Sequence, residues 1–464
     1  MKILLVLPAV PHLRITDENQ NVPKRNMLRF SILPLLTVAG LTPEGHEVDI
    51  CDENVEALDL ESDADLIGVS FMTATAPRAY EIAMEFQLRG KTTVAGGYHP
   101  SFMPREALKY FDAVAIGDAE EIWPRIVIDA DAGKLQEIYR HERLPELRNL
   151  PRPTRNLMEK KADKYATINA VQTGRGCKNS CRYCSIAAFH HSTYRHRPVD
   201  EVIEEIKGLD KNFIFVDDNI ISEPEYAKEL FKQLIPLRKK WISQSSIDIA
   251  NDPELLNLAY KAGCRGLFIG IETMNEKNLA KMEKGFNDSK NYFTRIRRIR
   301  KQGIAIIAGM IVGMDNDSPE VFRNTLRFLS RSGIDALQLN IMTPLPGTPL
   351  YGDMERSGRI TSKDWSKYDF RHVIMQPRLM SAEELQDGAD WVYCQFYKLR
   401  RIIPRFFNTL FTCGAYPAFL ALKLNMTYRY DNIHEKIIGR DPFKARIPGE
   451  SVNTACNEYL PNVS

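Results

Sequence analysis

Short runs of β-branched and other apolar residues recur along this chain, each followed by a stretch able to form a helix. That alternation is the strongest constraint on the fold. The first series is "KILLVLP", "HEVDICDENV", "ADLIGVSF", "KTTVAGGYHP" and "DAVAIGDAEE". Strands separated by crossover segments imply a parallel, doubly wound α/β domain of Rossmann-like form, with ligands beyond the carboxyl ends of the strands. Those ends carry Pro8, Asp52 to Asn54, Ser70 to Thr73, Gly96 to His99 and Gly117 to Glu121. "QEIYRHERLPELRNLPRPTRNLM", rich in Pro and Arg, reads as a connector. The alternation then resumes in "ATINAVQTGRG", "NFIFVDDNI", "ISQSSIDIA", "RGLFIGIET", "IAIIAGMIVGMD" and "DALQLNIMTP". These six units suit a partial, TIM-like (β/α)6 barrel, whose site belongs on the loops after the strands. From Ser381 the pattern turns helical and aromatic. The expected division is an α/β domain over 1–135, a linker over 136–165, a partial barrel over 166–375 and a mainly helical cap over 376–464.

Charge and hydropathy exclude several classes. A net charge of +2, from 62 basic against 60 acidic residues, gives no reason to expect a nucleic-acid partner. The N-terminal "MKILLVLPAV" is too short for a secretory signal and lacks a small-residue cleavage site, so it reads as a buried first strand. The apolar stretch "IIPRFFNTLFTCGAYPAFLALKL" is interrupted by Pro404, Arg405, Asn408 and Pro417, against a membrane span. With eight cysteines and no export signal, the expected setting is cytoplasmic, with reduced thiols and a metal or catalytic role for any cluster.

Such a cluster exists in "GRGCKNSCRYCS": Cys177, Cys181 and Cys184. Structural zinc takes four protein ligands, usually as two pairs, and no second pair is present. A fourth ligand from His190, His191 or His196 would make a Cys3His zinc site. Three thiolates on a four-iron cluster instead leave one iron open, which is what a catalytic metal needs. The cysteines follow the first barrel strand, on the face where barrels of this kind place their chemistry.

The spacing Cys-x-x-x-Cys-x-aromatic-Cys, with Tyr183 as the aromatic, resembles the signature of the radical S-adenosylmethionine superfamily. The resemblance implies that Cys177, Cys181 and Cys184 ligate a [4Fe-4S] cluster. Its open iron would chelate S-adenosylmethionine, which is cleaved reductively to a 5′-deoxyadenosyl radical. It continues in order along the chain. "FVDDNI", with Asp217, Asp218 and Asn219, is similar to the family's segment near the methionyl amino group. Glu272 in "GLFIGIET" matches the ribose-contacting acid, and Gly313 in "AGMIVGMDND" lies in the segment under adenine. "LQLNIMTPLPGTPLY" resembles the sixth-strand segment of the cobalamin-associated branch.

In that branch a cobalamin domain precedes the barrel, as the α/β series does here. "DLIGVSF", "VAGGYHPSF" and "AIGDAEE" resemble its loops around the corrin, which implies a pocket built by Ser70, Gly96, Gly97, His99, Gly117 and Glu120. The histidine-donating motif Asp-x-His-x-x-Gly is absent, so His99 is read as a pocket residue and not a cobalt ligand. The implied cofactors are the cluster, S-adenosylmethionine and cobalamin, and the implied reaction is methylation or rearrangement of an unactivated carbon. The implied electron donor is a flavodoxin or ferredoxin.

Two rival readings stay open: a cobalamin-free radical cyclase or oxidoreductase, and a non-enzymatic zinc- or cluster-bearing binding module. "GRITSKDWSKYDFRHVIMQP" and "SAEELQDGADWVYCQFYKL" resemble the C-terminal extension of bacterial members acting on hopanoid and other lipid-like substrates. The run "YKLRRIIPRFFNTLF" suggests either a membrane-surface contact or a helix packed on the barrel, and Pro404 argues for the latter.

Overall fold

The computed structural model describes residues 1–10, 13–16, 32–285 and 287–434. The first sheet contains β1 (Lys2–Leu7), β2 (Glu47–Asp52), β3 (Leu66–Ser70), β4 (Thr92–Gly96), β5 (Ala113–Ile116) and β6 (Ile138–Arg140). All pairings are parallel, in the order β2-β1-β3-β4-β5-β6. Successive strand residues face opposite sides. Ile3 and Leu5 therefore enter one core with Trp123, and Leu4 and Val6 enter another with Phe86. With both faces covered, the strands can be almost continuously apolar. The order reverses between β1 and β3, so the ligand crevice belongs at the carboxyl ends of these two strands.

The stretch read as a linker is more structured than expected. Strand β6 falls within it and completes the first sheet. Met158 and Tyr165 pack into the first domain's core, and the Tyr165 hydroxyl donates to Asp52 at 2.9 Å. Its Pro and Arg content masked these anchors.

The second sheet has the six expected strands: β7 (Ala170–Val171), followed after a hairpin by β10 (Asn212–Phe215), β11 (Lys240–Ser245), β12 (Cys264–Glu272), β13 (Ala305–Val312) and β14 (Ala336–Ile341). They pair in parallel as β14-β13-β12-β11-β10-β7, an open partial barrel. The hairpin joins β8 (Gly174–Gly176) to β9 (Tyr194–His196) in antiparallel register. No sequence pattern announced it.

Three cap helices follow among the described residues: Ala382–Phe396, Leu399–Cys413 and Ala415–His434. The first closes the exposed edge of β14, because Leu339 N–H donates to the Tyr393 hydroxyl at 3.0 Å and Leu337 N–H to the Tyr397 hydroxyl at 3.1 Å. Tyrosines thus occupy edge positions that would otherwise template another strand. Pro404 lies inside the second helix, which runs through it without ending. Among the described residues no helix is long and apolar enough to cross a membrane.

Candidate active site

The hairpin β8–β9 brackets the cysteine loop, and its geometry demands glycine. Gly176 has φ +85°, and a Cβ there would lie 2.2 Å from the Thr193 carbonyl oxygen. The acidic pair at the end of β10 divides its work. Asp217, fully buried, accepts from Gly174 N–H at 2.8 Å and from Thr173 N–H at 3.1 Å, fixing the start of the hairpin. Asp218 accepts from Gly176 N–H at 3.0 Å, one residue before Cys177. Burial pushes Asp217 up to about 7 and Asp218 up to about 6. Asn219 accepts from Ser246 N–H at 2.9 Å and braces the end of β11.

Cys181 is buried, Cys177 and Cys184 are half-buried, and all three carry free thiols. Asn179 donates to Cys177 Sγ at 3.4 Å. Burial pushes the Cys181 thiol up to about 11 and raises that of Cys184, so both stay protonated near neutrality unless a cation lies beside them. Among the described residues no three His, Cys, Asp or Glu side chains converge on one ion. Nor does His190 supply a fourth ligand: it is buried, with Nδ1 3.2 Å from an Arg195 guanidinium nitrogen.

Glu272 ends β12 with φ +65°, beside a register shift at Gly270. A left-handed conformation at a non-glycine residue is strained, and such strain concentrates at working sites. Its Oε1 accepts from the buried Lys284, whose Nζ also lies 3.2 Å from the Tyr183 hydroxyl. Lys284 therefore links the acid to the cysteine loop. Sequence reasoning missed it, since it is one of several lysines in "EKNLAKMEKG".

Gly313 departs from its expected setting. Its φ is +91°, a conformation that by itself favours glycine, and a Cβ would also lie 2.6 Å from the Leu385 side chain of the cap. The expected cobalamin residues also separate. Ser70 pairs in register with Gly96, where a Cβ would meet open space. Gly97 has φ +101°, and a Cβ would lie 2.7 Å from the Phe71 carbonyl oxygen. Gly117 N–H donates to Ser101 Oγ at 3.1 Å. His99 is fully buried beneath the strand ends, between the Thr73 and Tyr80 hydroxyls at 3.2 and 3.1 Å. Glu120 instead receives Arg175 across the domain junction, one guanidinium bond being 2.8 Å. Asp118 accepts there from Arg195 at 2.6 Å.

Between the domains lies a cavity of about 460 Å³. Leu7, Asn54, Met72 and Tyr98 line it from the first domain, Ser185 and Phe370 from the other side. It opens at the β1/β3 crevice and reaches the residue after Cys184. Among the described residues its walls are mostly apolar, with Leu7, Leu13, Met72, Tyr98 and Phe370.

A Rossmann-like cofactor domain facing a partial barrel across a three-cysteine loop defines a two-cofactor enzyme. Family models agree: residues 31–127 match the B12 binding domain and 171–329 the Radical SAM superfamily. Bacteriochlorophyllide d C-12(1)-methyltransferase of Chlorobaculum tepidum is 29% identical over 384 residues, 80% of this chain and 84% of that one. Hopanoid C-2 methylase of Rhodopseudomonas palustris is 28% identical over 352 residues, 71% of this chain and 65% of that one. The fold matches the radical S-adenosylmethionine methyltransferase TsrM of Kitasatospora setae, solved with cobalamin and a [4Fe-4S] cluster. The TM-score is 0.61 at 19% identity, covering 77% of this chain and 78% of that one. The chain belongs to the cobalamin-dependent radical S-adenosylmethionine enzymes, with a [4Fe-4S] cluster, S-adenosylmethionine and cobalamin as cofactors.

Proposed function

We propose that this enzyme methylates an unactivated carbon of a large, mostly apolar polycyclic substrate, held in the cavity between the two domains. The observation that carries the reading is the shared cavity itself: one apolar space touches both the carboxyl ends of the cobalamin domain and the residue after Cys184. A substrate lying there would be within reach of both cofactors. The relatives support the class, since one is named for a bacteriochlorophyllide and the other for a hopanoid.

Together the bound cofactors supply hydrogen abstraction and methyl donation. The chain's own residues position and exclude. Cys177, Cys181 and Cys184 would hold the cluster. Glu272, fixed by Lys284, presents a carboxylate at the end of β12 that is suited to sugar hydroxyls. Asp218 orders the backbone entering the loop. Leu7, Met72 and Phe370 keep water from the apolar substrate, while Asp369 and Arg371 provide a polar end to the same wall. A flavodoxin or ferredoxin is the reductant this reading assumes.

The test is anaerobic purification from cells supplied with cobalamin, with iron, sulfide and corrin measured on one sample. Turnover follows with S-adenosylmethionine bearing a deuterated methyl group and bacteriochlorophyllide or hopanoid acceptors. Near-stoichiometric corrin and a deuterated methyl group on product carbon are expected. A cluster without corrin, giving a cyclised or oxidised product, would replace this reading with the cobalamin-free one.

A further inference from the structure

The second cap helix exposes an apolar row. Leu399, Ile403, Phe407 and Phe411 recur every fourth residue, and Ile403 is 53% and Phe411 83% exposed. Phe419 of the third helix, 61% exposed, adjoins the row through Phe406, whose ring contacts both Phe419 and Phe407. Side chains of this size seldom stand together in water without a covering partner. The sequence objection to an amphipathic face, the proline at 404, fails because the helix continues through it.

Along these two helices as far as Tyr430 the charged residues have one sign. From Lys398 to Tyr430 there are six basic residues and no Asp or Glu. Beside the row lies a shallow basin of about 360 Å³, lined by Arg323, Arg327, Arg331 and Arg401 with no carboxylate in its wall. Arg401 joins the two features: it belongs to the same helical turn as Leu399 and Ile403, and donates to Ser330 Oγ at 2.8 Å in the basin.

We propose that this face docks on an anionic lipid bilayer, with the Leu399–Phe411 row entering the acyl boundary and the arginine basin receiving lipid phosphate. The charge decides the occupant. A second copy meeting through a twofold axis would set these arginines against their own equivalents. Residues 435–464 carry four acidic and four basic residues, a poor complement to an all-arginine basin. An anionic surface satisfies both features at once. The inference extends the functional reading, because an apolar substrate would be delivered from the same surface.

Vesicle co-sedimentation of the full-length holoenzyme tests it without turnover, so failure would leave the methylation reading standing. The wild type is expected to sediment with phosphatidylcholine–phosphatidylglycerol vesicles but not with phosphatidylcholine alone, and to be released by salt. Phe407→Ser/Phe411→Ser and Arg327→Gln/Arg331→Gln should each weaken partitioning about tenfold, the altered side chains being exposed enough to leave folding intact. Equal sedimentation of wild type and both variants would overturn the proposal. So would release by inorganic phosphate at constant ionic strength, which would indicate a free-anion site. A wild-type dimer that Phe407→Ser/Phe411→Ser converts to monomer would assign the face to a second copy and overturn it as well.

Discussion

Arg175 and Glu120 form a two-pronged ion pair across the domain junction, with Arg175 two residues ahead of Cys177. Arg175 also lies 3.2 Å from Asp118, which accepts from Arg195 on the far strand of the same hairpin. The cobalamin domain thus holds both strands that bracket the cysteine loop. Removing one partner of a buried pair strands the other charge, at a cost of about 3–5 kcal/mol. Asp118 keeps part of the compensation, so Glu120→Ala is expected to cost roughly 3 kcal/mol and to lower iron retention. Thermal unfolding, with iron per chain after identical anaerobic reconstitution, checks this. An unchanged melting temperature with full iron would show that the pair does not hold the loop.

Lys284 and Glu272 make the corresponding pair inside the barrel. Lys284→Met leaves the Glu272 carboxylate buried without its cation, and should destabilise the enzyme by about 3 kcal/mol and weaken S-adenosylmethionine binding. Adding Glu272→Gln removes the stranded charge, so the double variant should regain part of the stability while binding stays weak. Equilibrium dialysis beside denaturant unfolding separates the two effects. Recovery of binding together with stability would make the pair a packing feature only.

The parallel sheets were legible because strand alternation follows directly from burying apolar strands on both faces, and the cysteine loop was legible because its residue types are rare. Contacts set by the approach of separate domains were not. Glu120 reads as a strand-end pocket residue until Arg175 arrives opposite it. Strand β6 was hidden in a Pro- and Arg-rich run because its three residues, Ile138–Arg140, are too few to show a period. Lys284 carried no local signal, since only the fold brings it to Glu272.

Tyr397 closes the edge of the barrel sheet. Its hydroxyl receives Leu337 N–H and donates to Leu337 C=O, and the side chain is almost wholly buried. Tyr397→Phe leaves both backbone groups unsatisfied, which at about 1–3 kcal/mol for each buried group should cost on the order of 3 kcal/mol. Tyr393→Phe strands the Leu339 N–H and should cost about 1–3 kcal/mol. Denaturant midpoints compare the two directly. Equal and small losses would mean that water replaces the tyrosines at this edge.

The acid response should turn on His99. Burial holds its ring at about 4, below the ordinary 6.5, although Glu106 at 3.6 Å partly opposes the shift. Between these values the unfolded chain binds the proton and the folded chain does not. Stability is therefore lost as pH falls below about 6.5, and the loss is complete near 4, amounting to about 3 kcal/mol at most. His190, also held at about 4 by burial, acts in the same direction. Asp217 and Asp317, pushed up to about 7 by burial, act oppositely: the folded chain holds their protons, and their contribution disappears as pH rises from about 4 through 7. The wild-type profile should consequently be shallow. His99→Gln removes one of the two histidine contributions, so its stability relative to wild type should improve steadily from pH 7 towards 4, whatever its offset at neutrality. Denaturant midpoints across that range measure the difference. Parallel profiles would show that His99 does not carry the acid sensitivity.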